Sequence, residues 1–245
     1  MYELLIDSPA AQPNKSKPRF TSEGEAFLKQ ALSQGKGAII FTPHTGNFFY
    51  YYWHLSQKIS LHDVATAQSQ ELRPIYLRFE QMGCKGLDYD ITPPLQMMRK
   101  LRGHLQENGV VLLLGDFYRP NFPPSTLFGK PTRSPMGAAV LALEQQAPVI
   151  PFYGCRSDGF NHKLVFGKPL HLHEEFERHQ RSEATNRLNK TLEDAIALVP
   201  DQWFYWFNAE ERWQPEGGGK ELAEDQDTVW LKKRYGSVLI LAHEQ

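Results

Sequence analysis

Residues Gly37–Tyr52 read GAIIFTPHTGNFFYYY, and the fold turns on how this stretch breaks. Ala38-Ile39-Ile40-Phe41 is a short apolar run rich in β-branched residues, the pattern of a buried strand. Thr42-Pro43 interrupts it, His44-Thr45-Gly46-Asn47 makes a tight polar corner, and an aromatic run then starts a helix. On this reading His44 stands at the carboxyl end of a strand, the sheet edge at which α/β proteins bind ligands. An imidazole there serves as a general base near neutral pH once a substrate proton comes within reach. A histidine in a turn can equally be structural, and the rest of the chain has to decide between the two.

Working outward, 245 residues suit one α/β domain with small additions and are enough for a sizeable core. The formal net charge is −1, with 27 Lys+Arg against 28 Asp+Glu, so nothing recommends a nucleic-acid partner. Cys84 and Cys155 give neither a disulfide framework nor a zinc pattern, which points to a reducing cytoplasm. No apolar run approaches the roughly 18–20 residues that span a bilayer. The opening MYELLIDSPAAQPNKSKPRF has no long apolar segment and reads as an irregular arm, not a signal peptide. The expectation is a cytoplasmic chain whose membrane contact, where there is any, is peripheral at the inner membrane surface. Apolar residues near Phe48–Trp53 and adjacent basic side chains would make that contact.

Taken in order, Ser22 with Glu25 has the capping-box spacing, and Phe27, Leu28, Ala31 and Leu32 give the helix that follows an apolar side. After the 38–42 strand, Asn47–Lys58 is predicted helical. Val64–Gln68 and Lys85–Thr92 are predicted strands, with a helix over Glu71–Met82. Leu95–Leu105 is an amphipathic helix closed near Asn108-Gly109. Val110–Leu114 is the clearest strand and ends in Gly115-Asp116. Tyr118–Thr132, with four prolines, reads as one long loop. Ser134-Pro135 opens a helix, Pro148–Tyr153 and Leu164–Phe166 are strands, and Arg181–Val199 is helical. Trp203–Phe207 should return to the core. Gly217-Gly218-Gly219 begins a linker, so residues 214–245 are set apart from a main domain over 21–213. This alternation predicts an α/β fold, a central, largely parallel sheet flanked by helices, with 163–213 adding an antiparallel or irregular edge.

Familiar chemistry is missing in three respects. There is no G-x-S-x-G elbow, no G-x-x-x-x-G-K-[ST] loop, and no G-x-G-x-x-G opening a helix after a strand. His171 and His173 form a close pair without an acid at the usual ligand spacing, so no metal site is expected.

What the chain does have is an ordered series: PHTGN at 43–47, LLLGD at 112–116, LFGKPTRSPMGAAVLALEQQAPVIP at 127–151, and PDQWFYWFNAEERW at 200–213. Together these resemble the lauroyl/myristoyl acyltransferases of bacterial lipid A biosynthesis and their lysophospholipid-acyltransferase-like relatives. That family shows a His-x-Gly-Asn-Trp-Glu corner, an Asp-Gln after a strand, a Phe-Phe-Gly-x-Pro segment, a Thr/Ser-Pro-x-Gly helix start and a closing Pro-Glu-Gln-Trp-x-Trp. The likeness covers roughly residues 35–213. The departures are specific. Phe49 stands where the family's acid follows its histidine, Asp116-Phe117 replaces Asp-Gln, and Phe207–Arg212 replaces a basic close. The family's N-terminal membrane anchor has no counterpart in the opening residues.

The resemblance implies an acyltransferase that moves a fatty or similar acyl group from an acyl-carrier-protein or coenzyme A thioester to a hydroxyl or amine. The acceptor would be a lipid or small molecule, and neither metal nor cofactor is needed. His44 would be the base, with Thr45, Gly46, Asn47 and Phe49 forming a substrate-binding corner. Arg78, Arg119 and Arg133 are candidates for phosphates of donor or acceptor, although each could equally be a paired surface charge. With Phe49 unable to orient an imidazole, Asp116 is the candidate carboxylate and Glu80 the fallback. Asp116 could instead cap a loop or pair with an arginine. A lipid-binding relative without catalysis and an acyl-thioester hydrolase are the competing readings.

Overall fold

The 38–42 run forms the middle of a seven-stranded sheet. The structure, a computed structural model, describes residues 20–65, 73–159 and 161–213. The strands are β1 (Phe20–Glu23), β2 (Ala38–Thr42), β3 (Leu61–Ala65), β4 (Lys85–Asp88), β5 (Val110–Leu114), β6 (Pro124–Leu127), β7 (Lys130–Arg133), β8 (Val149–Asp158) and β9 (Asn161–Phe166). The main sheet has the order β1-β9-β8-β2-β5-β3-β4, and β6-β7 form a separate pair. From β8 through β2, β5 and β3 to β4 every pairing is parallel. As expected, β9 runs antiparallel to β8 and reverses that edge.

The helices are α1 (Glu25–Ser33), α2 (Phe48–Ser56), α3 (Arg73–Gln81), α4 (Pro94–Gln106), α5 (Gly137–Gln145), α6 (Leu172–Glu175) and α7 (Arg181–Leu198), followed by short 3-10 turns over 200–212. Both faces of the sheet are covered, so the central strands are apolar throughout rather than alternating with polar residues. All five residues of β2 are buried. Ile39 and Phe41 join one core with Leu105 of α4, Leu141 of α5 and Leu192 of α7. Ala38 and Ile40 join the other, with Tyr51 and Leu55 of α2 and Leu28 of α1.

Local expectations fail where a pairing partner outweighs local pattern. Ser22 does not cap α1: it lies in β1 opposite Leu164 of β9, and Gly24 caps the helix in a left-handed conformation. The proline-rich stretch 118–132 is not one loop. It contains the β6–β7 hairpin, turned at Phe128-Gly129, both at positive φ. Prolines are compatible with that pair because every strand in a two-stranded sheet is an edge. The second strand begins at Leu61 instead of Val64, the strand from Lys85 stops at Asp88, and the helix expected from Ser134 starts at Gly137. The N-terminal arm through residue 19 and the extension 214–245 lie outside the described residues.

Candidate active site

The corner is held by the backbone on both sides. The Gly115 N–H donates to the Thr42 carbonyl at 3.0 Å, continuing the β2–β5 ladder past its last paired residues. Across the corner, the Phe204 N–H donates to the His44 carbonyl at 2.8 Å and the Gly46 N–H to the Gln202 carbonyl at 2.9 Å. Gly46 has φ 53, and a Cβ there would run into the Tyr51 hydroxyl, so the tight turn requires glycine. The Thr45 hydroxyl donates to the Gly154 carbonyl at 3.0 Å, and the Asn47 side chain caps α2 by accepting from the Tyr50 N–H.

With the corner fixed, His44 meets Asp116. Their side chains approach at 2.6 Å between Nδ1 and Oδ1. The second carboxylate oxygen accepts from the His44 N–H at 3.0 Å and from the Trp203 indole N–H at 2.8 Å. Asp116 is buried, and burial alone would push its pKa up. The attraction and hydrogen bond of His44, the Arg212 guanidinium and the Trp203 N–H outweigh burial and hold the carboxyl below its ordinary value. Asp116 therefore stays an anion. Its bond fixes the His44 tautomer with the proton on Nδ1 and leaves Nε2 free to accept a proton.

His44 lines a cavity of about 720 Å³, within the usual size range of small-molecule sites. Its walls are mainly apolar, with Phe41, Phe49, Tyr52, Met97, Leu112 and Phe152 among them. Phe48 and Tyr205 pack edge-on against the imidazole, with centroids at 4.7 and 4.8 Å.

The remaining expected site residues separate clearly. Thr45, Gly46 and Asn47 are outside the cavity lining and act as clamps for the corner. Phe49 does line the cavity and packs on Phe48 and Phe79. Arg119 pairs with Asp90 at 2.6 Å and lies over the Tyr89 and Phe117 rings. Arg133 donates to the Phe122 carbonyl at 2.7 Å, bracing the segment before the hairpin. Arg78 is half-buried on α3, away from the cavity lining. Glu80 is exposed, and the histidine's carboxylate is Asp116. Glu174, next in sequence to His173, does stand beside the His171/His173 pair, with candidate ligand atoms within 4.8 Å of one another. The aromatic run is no exposed membrane face, since Tyr50, Tyr51 and Tyr52 are buried and Phe48, Phe49 and Trp53 half-buried. No helix among the described residues is long and apolar enough to cross a membrane. Sequence reasoning missed Trp203 and Arg212 as partners of Asp116; both fall in the closing aromatic segment.

The family model for bacterial lipid A biosynthesis acyltransferases matches residues 5–214. The chain belongs to this family. This acyltransferase-family chain is 33% identical over 140 residues to the phosphatidylinositol mannoside acyltransferase of Mycobacterium tuberculosis (strain ATCC 25618 / H37Rv). That match covers 52% of this chain and 42% of the relative. The protein of the same description from strain CDC 1551 / Oshkosh matches at the same identity and coverage. The chain thus spans less than half the length of these curated relatives. Among solved structures, it is similar to the 1-acyl-sn-glycerophosphate acyltransferase PlsC of Thermotoga maritima, with a TM-score of 0.43 and 15% identity. That similarity covers 74% of this chain and 72% of PlsC.

Proposed function

We propose that this chain transfers an acyl group from an acyl-carrier-protein or coenzyme A thioester to a hydroxyl or amine of a lipid acceptor. The observation that carries this reading is the His44–Asp116 pair at the edge of a largely apolar cavity. Membership of an acyltransferase family supports it. In this mechanism Nε2 of His44 removes the acceptor proton, and the freed oxygen or nitrogen attacks the thioester carbonyl. The tetrahedral intermediate collapses by breaking the C–S bond, and the departing sulfur takes the proton back from Nε2 and leaves as the thiol. Asp116 orients the imidazole and stabilises its charged form between the two proton transfers. Phe49 then belongs to the cavity wall, and in this reading the carboxylate that the family places five residues after its histidine is supplied by the neighbouring strand.

The test is release of free thiol from a long-chain acyl thioester with and without a lipid acceptor. Acceptor-dependent release, lowered by about 100-fold or more in His44→Ala, is the expected result. Release that ignores the acceptor would make the protein a thioester hydrolase. Full activity in a folded His44→Ala would remove His44 from the mechanism.

A further inference from the structure

Asp63 has no part in that chemistry, yet it lines the same cavity. It lies within β3, between Leu112 of β5 and Gly86 of β4 in register. Leu61, two residues earlier and so on the same face, belongs to the core beneath α2, which puts Asp63 in that apolar layer. The residue is 7% exposed, and its Oδ1 is buried with no hydrogen-bond partner among the described residues. A buried carboxyl without a partner costs stability, and folded proteins retain such groups mainly where a ligand or a reaction uses them.

The described groups around Asp63 do not neutralise it. Tyr52 of α2, Tyr76 of α3 and Cys84 ahead of β4 are its electrostatic neighbours, and burial raises the pKa of all three, so they stay uncharged. The Tyr52 hydroxyl is already committed, donating to the Lys85 carbonyl at 2.7 Å. Val64 supplies a backbone hydrogen bond to the carboxyl, which leaves Oδ1 without a partner. No donor among the described residues reaches Oδ1, which leaves that atom to whatever fills the cavity. Burial favours the neutral carboxylic acid, which both donates and accepts, as an alcohol does. An apolar cavity with one such group fits a hydrocarbon chain that carries a hydroxyl.

Building on the acyl-transfer reading, we propose that Asp63 is a specificity-determining residue: it hydrogen-bonds a hydroxyl along the acyl chain seated in the cavity, so the preferred donor is a hydroxyacyl thioester. A plain chain would leave the carboxyl unpaired. A site built around a substrate hydroxyl discriminates strongly against the analogue that lacks it.

The experiment measures binding first and activity second, with the full chain as wild type, Asp63→Asn and Asp63→Leu. Isothermal titration calorimetry compares stearate with hydroxystearates bearing the hydroxyl at successive positions, and with stearylamine. At least one hydroxystearate should bind the wild type about tenfold or more tighter than stearate. Asp63→Leu should abolish that preference while binding stearate at least as well as the wild type, and Asp63→Asn should keep part of it. The proposal is overturned by no binding of any chain, by equal binding across the series, or by a preference that survives in Asp63→Leu. Tighter binding of stearylamine that depends on Asp63 would replace the hydroxyl by a cation and also overturn it. The matching coenzyme A thioesters should show the same preference in kcat/KM. If neither thioester supports transfer, the acyl-transfer reading fails, while the binding preference still decides the role of Asp63.

Discussion

His44 and Asp116 each stand two residues beyond the last paired residues of adjacent parallel strands. The register that sets Thr42 opposite Leu114 carries through to set the histidine opposite the carboxylate. Backbone pairing thus brings together a histidine and a carboxylate 72 residues apart in sequence, and the 2.6 Å contact follows from it.

Asp116→Asn tests this directly. The amide oxygen of an asparagine can still accept from the His44 and Trp203 N–H groups, so the fold should survive. Its NH₂, however, can donate to Nδ1, which favours the tautomer with the proton on Nε2 and removes the base. Activity should fall by about 10³-fold or more, with an unchanged circular dichroism spectrum. A variant with wild-type turnover would make the pair structural.

Trp203→Phe removes one donor from Asp116 and keeps most of the ring packing. The carboxylate oxygen loses a buried hydrogen bond worth about 1–3 kcal/mol, and chemical denaturation should show a loss of that order. Because the indole N–H helps hold Asp116 below its ordinary pKa, that part of the loss should be full at neutral pH and shrink as pH falls through the carboxylate range. A stability difference that does not change with pH would mean that Trp203 serves packing alone.

Gly154→Ala should disturb the site from beneath. A Cβ at that position collides with the Tyr51 ring, and the same residue's carbonyl accepts from Thr45. Overpacking of this kind costs about 1–3 kcal/mol, read as a lowered Tm. A Tm equal to wild type would show that Tyr51 moves aside freely.

The sequence revealed the strands that carry the site because they are buried on both faces. Such strands appear as continuous apolar runs, as in Ala38–Phe41 and Val110–Leu114. The punctuation after each run placed His44 and Asp116 at one edge. Register was not legible, since it depends on which strands pair, and the site's closest distance comes from register. The same limit hid β1, whose Ser22 looks like a helix cap until β9 pairs with it, and the hairpin within the proline-rich stretch. Trp203 and Arg212 were readable only as members of an aromatic segment. Their bearing on Asp116 arises from long-range packing that no local pattern encodes. Asp63 sits in a strand with no local signal of burial without a partner.

That buried carboxyl also gives the stability a definite pH dependence. Burial pushes the Asp63 pKa from 3.8 up to about 7, with the Val64 hydrogen bond only partly opposing it. Below about pH 4 the group is protonated in both folded and unfolded chains and contributes no slope. Between about pH 4 and 7 the unfolded chain releases the proton while the folded protein keeps it. The native state then binds more protons, and stability falls as pH rises. Each pH unit in that window costs roughly 1.4 kcal/mol, and the loss levels off above about pH 7. In Asp63→Asn this contribution is absent, so the variant's Tm should gain on wild type steadily across the window. Thermal melts of both proteins at matched ionic strength provide the comparison. A difference that stays constant with pH would show that Asp63 ionises normally in the folded protein, and that its carboxyl finds a partner or water there.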